Sequence, residues 1–299
     1  MRIVMSGASG MIGTALSEYV SGQGHEVVQL VRRPARNAGE WSWDPAAGSL
    51  DEKVLEGADA VVNLSGAGIG DRPWTRRRIE VLKESRFQPT NTLTAAMRRL
   101  EQPPSVFVSQ SASGYYGTSS SGILTENSNA GGGILGPLCV EWERAAREAP
   151  SSVRVVTPRT GVVLSKSGGA LGPLLPLLKA GLGGPFGNGR QYWPWITLAD
   201  EAAALAFLLT ADIEGAVNVC APESADVNTI VAALAQAYRR PALLRVPAPA
   251  LKLVLGKLAD ELVLANQRMS PDRLIKAGYE WLHPSLDDAM RWLTSDSGH

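Results

Sequence analysis

Three groups of residues have types and spacings that can do chemistry. The first is Gly7-Ala8-Ser9-Gly10-Met11-Ile12-Gly13, directly after the apolar run Ile3-Val4-Met5. Glycines at this spacing let the backbone turn sharply and let a diphosphate approach the N–H groups at a helix N-terminus. Gly7, Ser9, Gly10, Met11, Ile12 and Gly13 are therefore read as dinucleotide contacts. The second group is Arg32-Arg33, which begins 19 residues beyond Gly13, with no acid nearby until Glu40. A site for NAD usually places a carboxylate about 20 residues past the glycine turn, on the ribose hydroxyls. Guanidinium groups there instead suit the 2′-phosphate of NADP, which they can bind bidentately. The expected cofactor is NADP(H). The third group is the hydroxyl-rich run Ser111-Ala112-Ser113-Gly114-Tyr115-Tyr116-Gly117. Its phenols could donate protons, but an ordinary tyrosine pKa of about 10 requires a nearby cation for such work at neutrality.

The elements that must position these groups alternate between strand and helix. Arg2–Ser6 reads as a buried parallel strand, followed by a helix from Met11 to about Gly24 and a second strand over His25–Val31. A polar stretch with Trp41 and Trp43 precedes a third strand, Ala58–Leu64, which runs into Ser65-Gly66-Ala67-Gly68. Such a turn at a strand's carboxyl end is where the crevice of an open sheet lies, so Leu64, Ser65 and Gly66 join the cofactor set. A long helix over Thr75–Leu100 carries Arg86. A fourth strand, Ser105–Ser109, leads into the hydroxyl-rich run and an irregular Gly/Ser-rich segment, 117–134. A helix over Leu135–Ala149 and a fifth strand over Arg154–Val163 follow. The Gly/Pro-rich segment Gly181–Trp195 reads as a structured loop on an aromatic anchor, with Trp195 structural. Beyond it lie a helix at Asp200–Leu209, with Asp200 favouring the helix dipole, a strand at Ala216–Cys220 and a helix at Asp226–Arg239. From Pro247 the chain reads as helical. The fold class is α/β, a Rossmann doubly wound parallel sheet with a smaller mixed C-terminal lobe. The expected organisation is an NADP-binding domain over 1–165 to which later segments contribute, substrate-side segments over 166–246 interleaved with that core, and a helical C-terminal segment over 247–299.

Composition bounds the partners. Lys plus Arg and Asp plus Glu both number 29 in 299 residues, so no net field draws the chain to nucleic acid or an anionic membrane. No apolar run reaches membrane-spanning length, and the N-terminal apolar run is too short for a signal peptide. Two cysteines, Cys139 and Cys220, give no disulfide framework, and His25, His283 and His299 show no metal-ligand spacing. A cytoplasmic protein without a structural metal is expected; its small-molecule substrate is unknown and a homo-oligomer is an open option.

The glycine turn, Asn63-Leu64-Ser65-Gly66 and the Ser-Ala-Ser-Gly-Tyr-Tyr-Gly run together resemble an extended short-chain dehydrogenase/reductase. Glu84-Ser85-Arg86, Glu141-Trp142-Glu143, Arg159-Thr160-Gly161-Val162-Val163-Leu164, Gly183-Gly184-Pro185-Phe186-Gly187 and the tail around Ala265-Asn266-Gln267-Arg268 are similar to one subgroup. That subgroup is the epimerase-family proteins with a DUF1731 C-terminal segment, related to short-chain dehydrogenase family 39U, and the resemblance spans essentially the whole chain. It implies that Ser111 is the family's serine, with Ser113 as the alternative, and that Arg86 lies near the cofactor phosphates or ribose. It also implies that Arg190, Gln191 and the aromatics of the 187–195 loop, Trp193 among them, form the substrate-side wall; the alternative is that Trp193 and Trp195 are core anchors that pin the glycine-rich loop. An Arg beside tryptophans suits a phosphate, a carboxylate or a sugar face. The family's Tyr-x-x-x-Lys pair is replaced: Leu135 stands where Tyr belongs and Cys139 where Lys belongs. Tyr115 and Tyr116 are the substitute proton donors, and Glu126 is either an acid or a loop anchor. Two functions follow: an NADP-dependent oxidoreductase or epimerase-like enzyme on a small carbonyl or sugar-type substrate, or an NADP(H)-binding sensor or partner-binding module with little turnover.

Overall fold

β-Branched and apolar residues at Arg2–Ser6 form strand β1, buried along almost its whole length. The glycine turn then delivers the chain into helix α1, Met11–Gly22, which turns Gly13, Leu16 and Val20 inward. Strand β2, Glu26–Val31, returns parallel to β1. The tryptophan-bearing stretch contributes a short edge strand, β3 (Glu40–Ser42), beside β2, and buries Trp43. Strand β4, Ala60–Asn63, and β5, Val106–Ser109, pair in parallel on the other side of β1. Between them runs helix α2, Arg76–Met97, capped by the Thr75 hydroxyl accepting from the Arg78 N–H. The computed structural model describes residues 1–118, 122–166, 168–169, 171–172, 174–181, 183–242 and 244–295. His299, residues 119–121 of the irregular segment and Leu182 of the 181–195 loop lie outside them.

The expected strand Arg154–Val163 divides in two. Arg154–Thr160 forms β7, parallel to β5, preceded by the two-residue β6 (Ser111–Ala112), which also pairs with it. At Gly161 the chain leaves this sheet, and Val162–Leu164 forms β8. The change of partner has a local cause: the Val162 N–H donates to the Pro194 carbonyl at 2.7 Å, which starts a parallel pairing with β10, Trp195–Thr197. Among the described residues the main sheet runs β11-β7-β5-β4-β1-β2-β3, with β11 at Gly215–Val219.

The chain packs as two compact units. The first comprises Met1–Ala112, Leu138–Arg159 and Ala202–Val217. Its core lies between the sheet and helices, with Val4, Leu30, Val61, Phe107 and Val155 meeting Leu93 and Met97 of α2. The second comprises Ser113–Pro137, Thr160–Glu201 and Asn218–His299. Its core gathers Leu164, Leu178, Trp193 and Trp195 with residues of α6 (Val227–Ala237) and of the C-terminal helix Leu286–Thr294. Both units are assembled from segments far apart in sequence.

Candidate dinucleotide site and its surroundings

Gly7 has φ +73°, a conformation that side chains rarely adopt, and a Cβ there would lie 2.5 Å from the Leu64 carbonyl oxygen. The first turn and the Leu64–Gly66 turn therefore approach as closely as bare backbone allows. Gly10 is the N-cap of α1 and offers no side-chain capping bond, so no side chain claims the first N–H groups of the helix. These groups and the positive end of the helix dipole suit a diphosphate. Beneath the turns lies a buried hydroxyl and amide network. Ser6 Oγ donates to Asn63 Oδ1 at 2.7 Å, and Ser65 Oγ lies 2.9 Å from Ser6 Oγ. Asn63 Nδ2 donates to Thr90 Oγ1 at 2.9 Å and to Ser109 Oγ at 3.3 Å, and Trp142 Nε1 donates to the same Thr90 oxygen. This network ties the carboxyl ends of β1, β4 and β5 together, which fixes the turns above them.

The two arginines past β2 differ. Arg33 forms a bidentate pair with Glu40, Nη1 to Oε2 at 2.7 Å and Nη2 to Oε1 at 2.6 Å. The same carboxylate accepts the Arg36 N–H at 2.8 Å. The Arg33 hydrogen bonds, with the Arg36 N–H, hold the Glu40 carboxyl well below the usual carboxylate range, at about 2. Arg32 is exposed and has no carboxylate partner among the described residues.

Ser111 is buried, and its hydroxyl donates to Glu143 Oε1 at 2.9 Å. Glu143 lies on α3, Leu135–Ala146, and is held by Arg159 of β7, Nε to Oε1 at 2.8 Å and Nη2 to Oε2 at 3.0 Å. Ser111 thus directs its hydroxyl hydrogen bond to a carboxylate that already pairs with a guanidinium. Glu143 and Arg159 appeared in the sequence only as members of the two subgroup motifs, with nothing to show that they pair. Leu135 and Cys139 are both buried. Burial first, and Glu143 second, push the Cys139 thiol up to about 12, which keeps it protonated and unreactive.

Arg86 does not form the surface ion pair that Glu80 and Glu84 would permit. It is buried, its Nη1 donates to the carbonyls of Leu82 (3.0 Å) and Ala67 (3.3 Å), and its guanidinium lies 5.2 Å from the centre of the Trp142 ring.

Several expected site residues in the second unit prove to be anchors. Tyr116 is buried, with its hydroxyl 2.6 Å from Asn218 Oδ1 and 3.0 Å from the Thr125 carbonyl. Tyr115 is half-buried and packs edge-on against it. Gln191 is buried and donates to the Phe186 carbonyl at 3.1 Å; Trp193 is buried against Phe186 and directs Nε1 to the Val263 carbonyl. Both hold the loop from inside rather than lining a surface, because glycine-rich backbone needs such internal partners to keep one conformation. Arg190 is exposed, and Ser113 is half-buried with its carbonyl accepting from Gln267 at 3.0 Å. Glu126 accepts from the N–H groups of Asn218 and Arg273, which makes it a loop anchor. Trp195 is buried, as a structural role requires.

The C-terminal segment pins both candidate loops. Glu261 accepts the Ile134 and Leu135 N–H groups at 2.9 and 3.2 Å, which caps the start of α3. Asn266 receives the Tyr192 N–H, and the Leu124 N–H donates to the Arg268 carbonyl at 2.7 Å. Asp200 lies in the first turn of the helix Leu198–Thr210, as the sequence reading placed it, and also accepts the Leu282 and His283 N–H groups. Among the described residues no cluster of His, Cys, Asp and Glu could hold a metal ion, and no helix is long and apolar enough to cross a membrane.

Residues 3–136 match the NAD-dependent epimerase/dehydratase family, and residues 246–293 match a domain of unknown function, DUF1731. Epimerase family protein Mb2239 of Mycobacterium bovis is 39% identical over 298 residues, covering 99% of this chain and 98% of that protein. A crystal structure of human epimerase family protein SDR39U1 (isoform 2) with NADPH superimposes with a TM-score of 0.92 at 33% identity, over 99% of this chain and all of that one. UDP-glucuronic acid 4-epimerase from Bacillus cereus shares the fold alone, at 16% identity and a TM-score of 0.76 over 97% of each chain.

Proposed function

The chain belongs to the epimerase family in the branch that carries the DUF1731 segment, and from that premise we propose that it is an NADP(H)-binding protein that lacks its family's acid–base pair. The observation that carries this reading is the contact of Gly7 with the Leu64 carbonyl, a cradle that a single Cβ would fill. Gly7, Ser9, Gly10, Met11, Ile12 and Gly13 would hold the diphosphate, with Leu64, Ser65 and Gly66 opposite. Arg32, exposed and without a carboxylate partner, would take the 2′-phosphate, and Arg33 would brace the loop through Glu40. NADPH, when bound, supplies a hydride donor. The residues that would move a proton alongside it are committed elsewhere. Ser111 donates to Glu143, the Cys139 thiol keeps its proton, and the Tyr116 hydroxyl is engaged with Asn218. Binding and retention of the dinucleotide are therefore better supported than turnover. Two buried free thiols accord with a reducing, cytoplasmic compartment.

A second reading, an NADP-dependent oxidoreductase or epimerase-like enzyme on a small carbonyl or sugar-type substrate, rests on Tyr115. That side chain is half-buried in the turn after β6 and packs edge-on against Tyr116. If a panel of carbonyl compounds gives NADPH oxidation that Tyr115→Phe abolishes, the enzyme reading replaces the first.

Thermal unfolding with NADPH, NADP+, NADH or no nucleotide tests the main reading. A ligand that binds only the folded state stabilises it by about 2.7 kcal/mol at a hundredfold excess over Kd. The expected result is a rise with NADPH and NADP+ and none with NADH. Absence of any shift overturns the assignment.

A further inference from the structure

Helix α7, Ala248–Leu255, is apolar on every side except at Lys252. A helix of that kind is ordinarily buried all round, yet none of its residues is fully buried here. One face is seated on the protein: Leu251 packs against the core of the second unit, and Leu255, one turn on, is half-buried. The opposite face is open. Pro249 and Leu253 form one row on it and Ala250 and Val254 the next, with Leu253 88% and Val254 76% exposed. Leu244 and Val246, in the stretch that leads into the helix, are exposed as well. That stretch is fastened, since the Val246 N–H donates to the Pro185 carbonyl at 3.0 Å and the Gly187 N–H to the Val246 carbonyl at 2.9 Å.

Charge in this segment is one-sided. The whole chain balances 29 basic residues against 29 acidic ones, but between Asp226 and Asp260 it carries Arg239, Arg240, Arg245, Lys252 and Lys257 and no carboxylate. Lys179 joins them, its ammonium 5.1 Å from the centre of the Tyr238 ring. Lys252 pairs with Asp260 at 2.8 Å, and Arg245 is engaged with the carbonyls of Gly187 and Asn188. Lys179, Arg239, Arg240 and Lys257 are exposed and form no ion pair among the described residues.

We propose that α7 is a membrane-contact element: Leu253 and Val254 enter the headgroup–acyl boundary of an anionic phospholipid surface, and the cations of this segment meet its phosphates. Among the described residues no helix is long and apolar enough to cross a bilayer. This one lies on it, with the body of the protein in place of the polar face of a free interfacial helix. Charge and shape select this occupant. A second copy docking face to face would set these cations against themselves. A folded partner would need a pocket for two side chains that stand almost clear of the surface, whereas hydrocarbon closes around them. A balanced total charge removes a long-range field and leaves this local one, which acts within a Debye length of about 8 Å. The contact is independent of the dinucleotide cradle, whose residues lie in other segments of the chain.

The test is co-sedimentation of the full chain with vesicles of phosphatidylcholine alone and of phosphatidylcholine mixed equally with phosphatidylglycerol. Leu253→Ser with Val254→Ser removes exposed apolar side chains, so the melting temperature should hold. Arg240→Gln with Lys257→Gln removes two charges and keeps the apolar face. The expected result is binding to the mixed vesicles at low salt, weakened by added salt and at least tenfold weaker in either double variant. Phosphatidylcholine alone should sediment little or none of the protein. If the serine pair also lowers the melting temperature, the glutamine pair decides, by whether binding falls at an unchanged melting temperature. Binding to neither vesicle, binding that both pairs leave unchanged, or equal binding to the two vesicle types overturns the proposal. A dimer in sedimentation equilibrium that the serine pair dissociates, without vesicle binding, assigns the face to a second copy instead.

Discussion

Arg86 and Arg159 are buried in the same unit, at 9% and 3% exposure, and have opposite surroundings. Arg159 meets Glu143 with two hydrogen bonds, and the carboxylate also accepts a hydrogen bond from the Ser111 hydroxyl. Arg86 meets an indole face and backbone carbonyls and, among the described residues, no carboxylate. The first guanidinium is paired by a carboxylate; the second is held by carbonyl dipoles and an aromatic face. A buried charge is tolerated only with compensation, and the two sites show two forms of it. The pair past β2 repeats the contrast at the surface, with Arg33 paired to Glu40 and Arg32 unpaired.

The largest expected effect breaks the completed pair. Glu143→Gln leaves Arg159 without its carboxylate and should cost about 3–5 kcal/mol in urea unfolding, whereas Glu143→Gln with Arg159→Met should recover most of it. Unfolding of the single variant at the unaltered protein's midpoint would remove the basis for contrasting the two arginines. Next, Arg32→Ala should weaken NADPH binding by about 1.5–3 kcal/mol, the range for hydrogen bonds to charged groups, in a titration of nicotinamide fluorescence. Arg33→Ala should change the same titration much less, because its guanidinium is already paired with Glu40. Equal effects from both arginines would mean that Arg33 leaves Glu40 when the nucleotide arrives.

The smallest effect is one of pH. Glu40 has a folded pKa lowered to about 2, so its contribution to stability is present above the ordinary carboxylate pKa and is lost as pH falls toward 2. The difference in melting temperature between the unaltered protein and Glu40→Gln should therefore be constant near neutrality and close progressively in acid. A difference that persists unchanged at about pH 2 would show that the Arg33 pair is not its source.

Much of this was legible along the chain because it obeys local rules. The Arg2–Ser6 strand, the helix from Met11 and the glycine turn between them depend on neighbours within a few residues. The Thr75 cap and the strand before Ser65 are local in the same sense. The division of Arg154–Val163 was not legible, since Gly161 and Val162 change partners only when Pro194 and Trp195 are brought beside them. Nor was the inward placement of Gln191 and Trp193, whose acceptors at Phe186 and Val263 come from separate segments of the second unit.

The sequence by itself determined the strand–glycine–helix cradle, the substitution of two arginines for the expected acid, and the loss of the Tyr-x-x-x-Lys pair. These are matters of residue type and short spacing, and a missing side chain cannot be restored by folding. Only the tertiary structure decided which charges are spent and which are free. Glu143 finds Arg159 across 16 residues of chain, Glu40 takes Arg33 rather than Arg32, and α2 carries Arg86 to Trp142 without a counter-charge. Electrostatic pairing depends on distance and burial in space, and neither is written in the order of the residues.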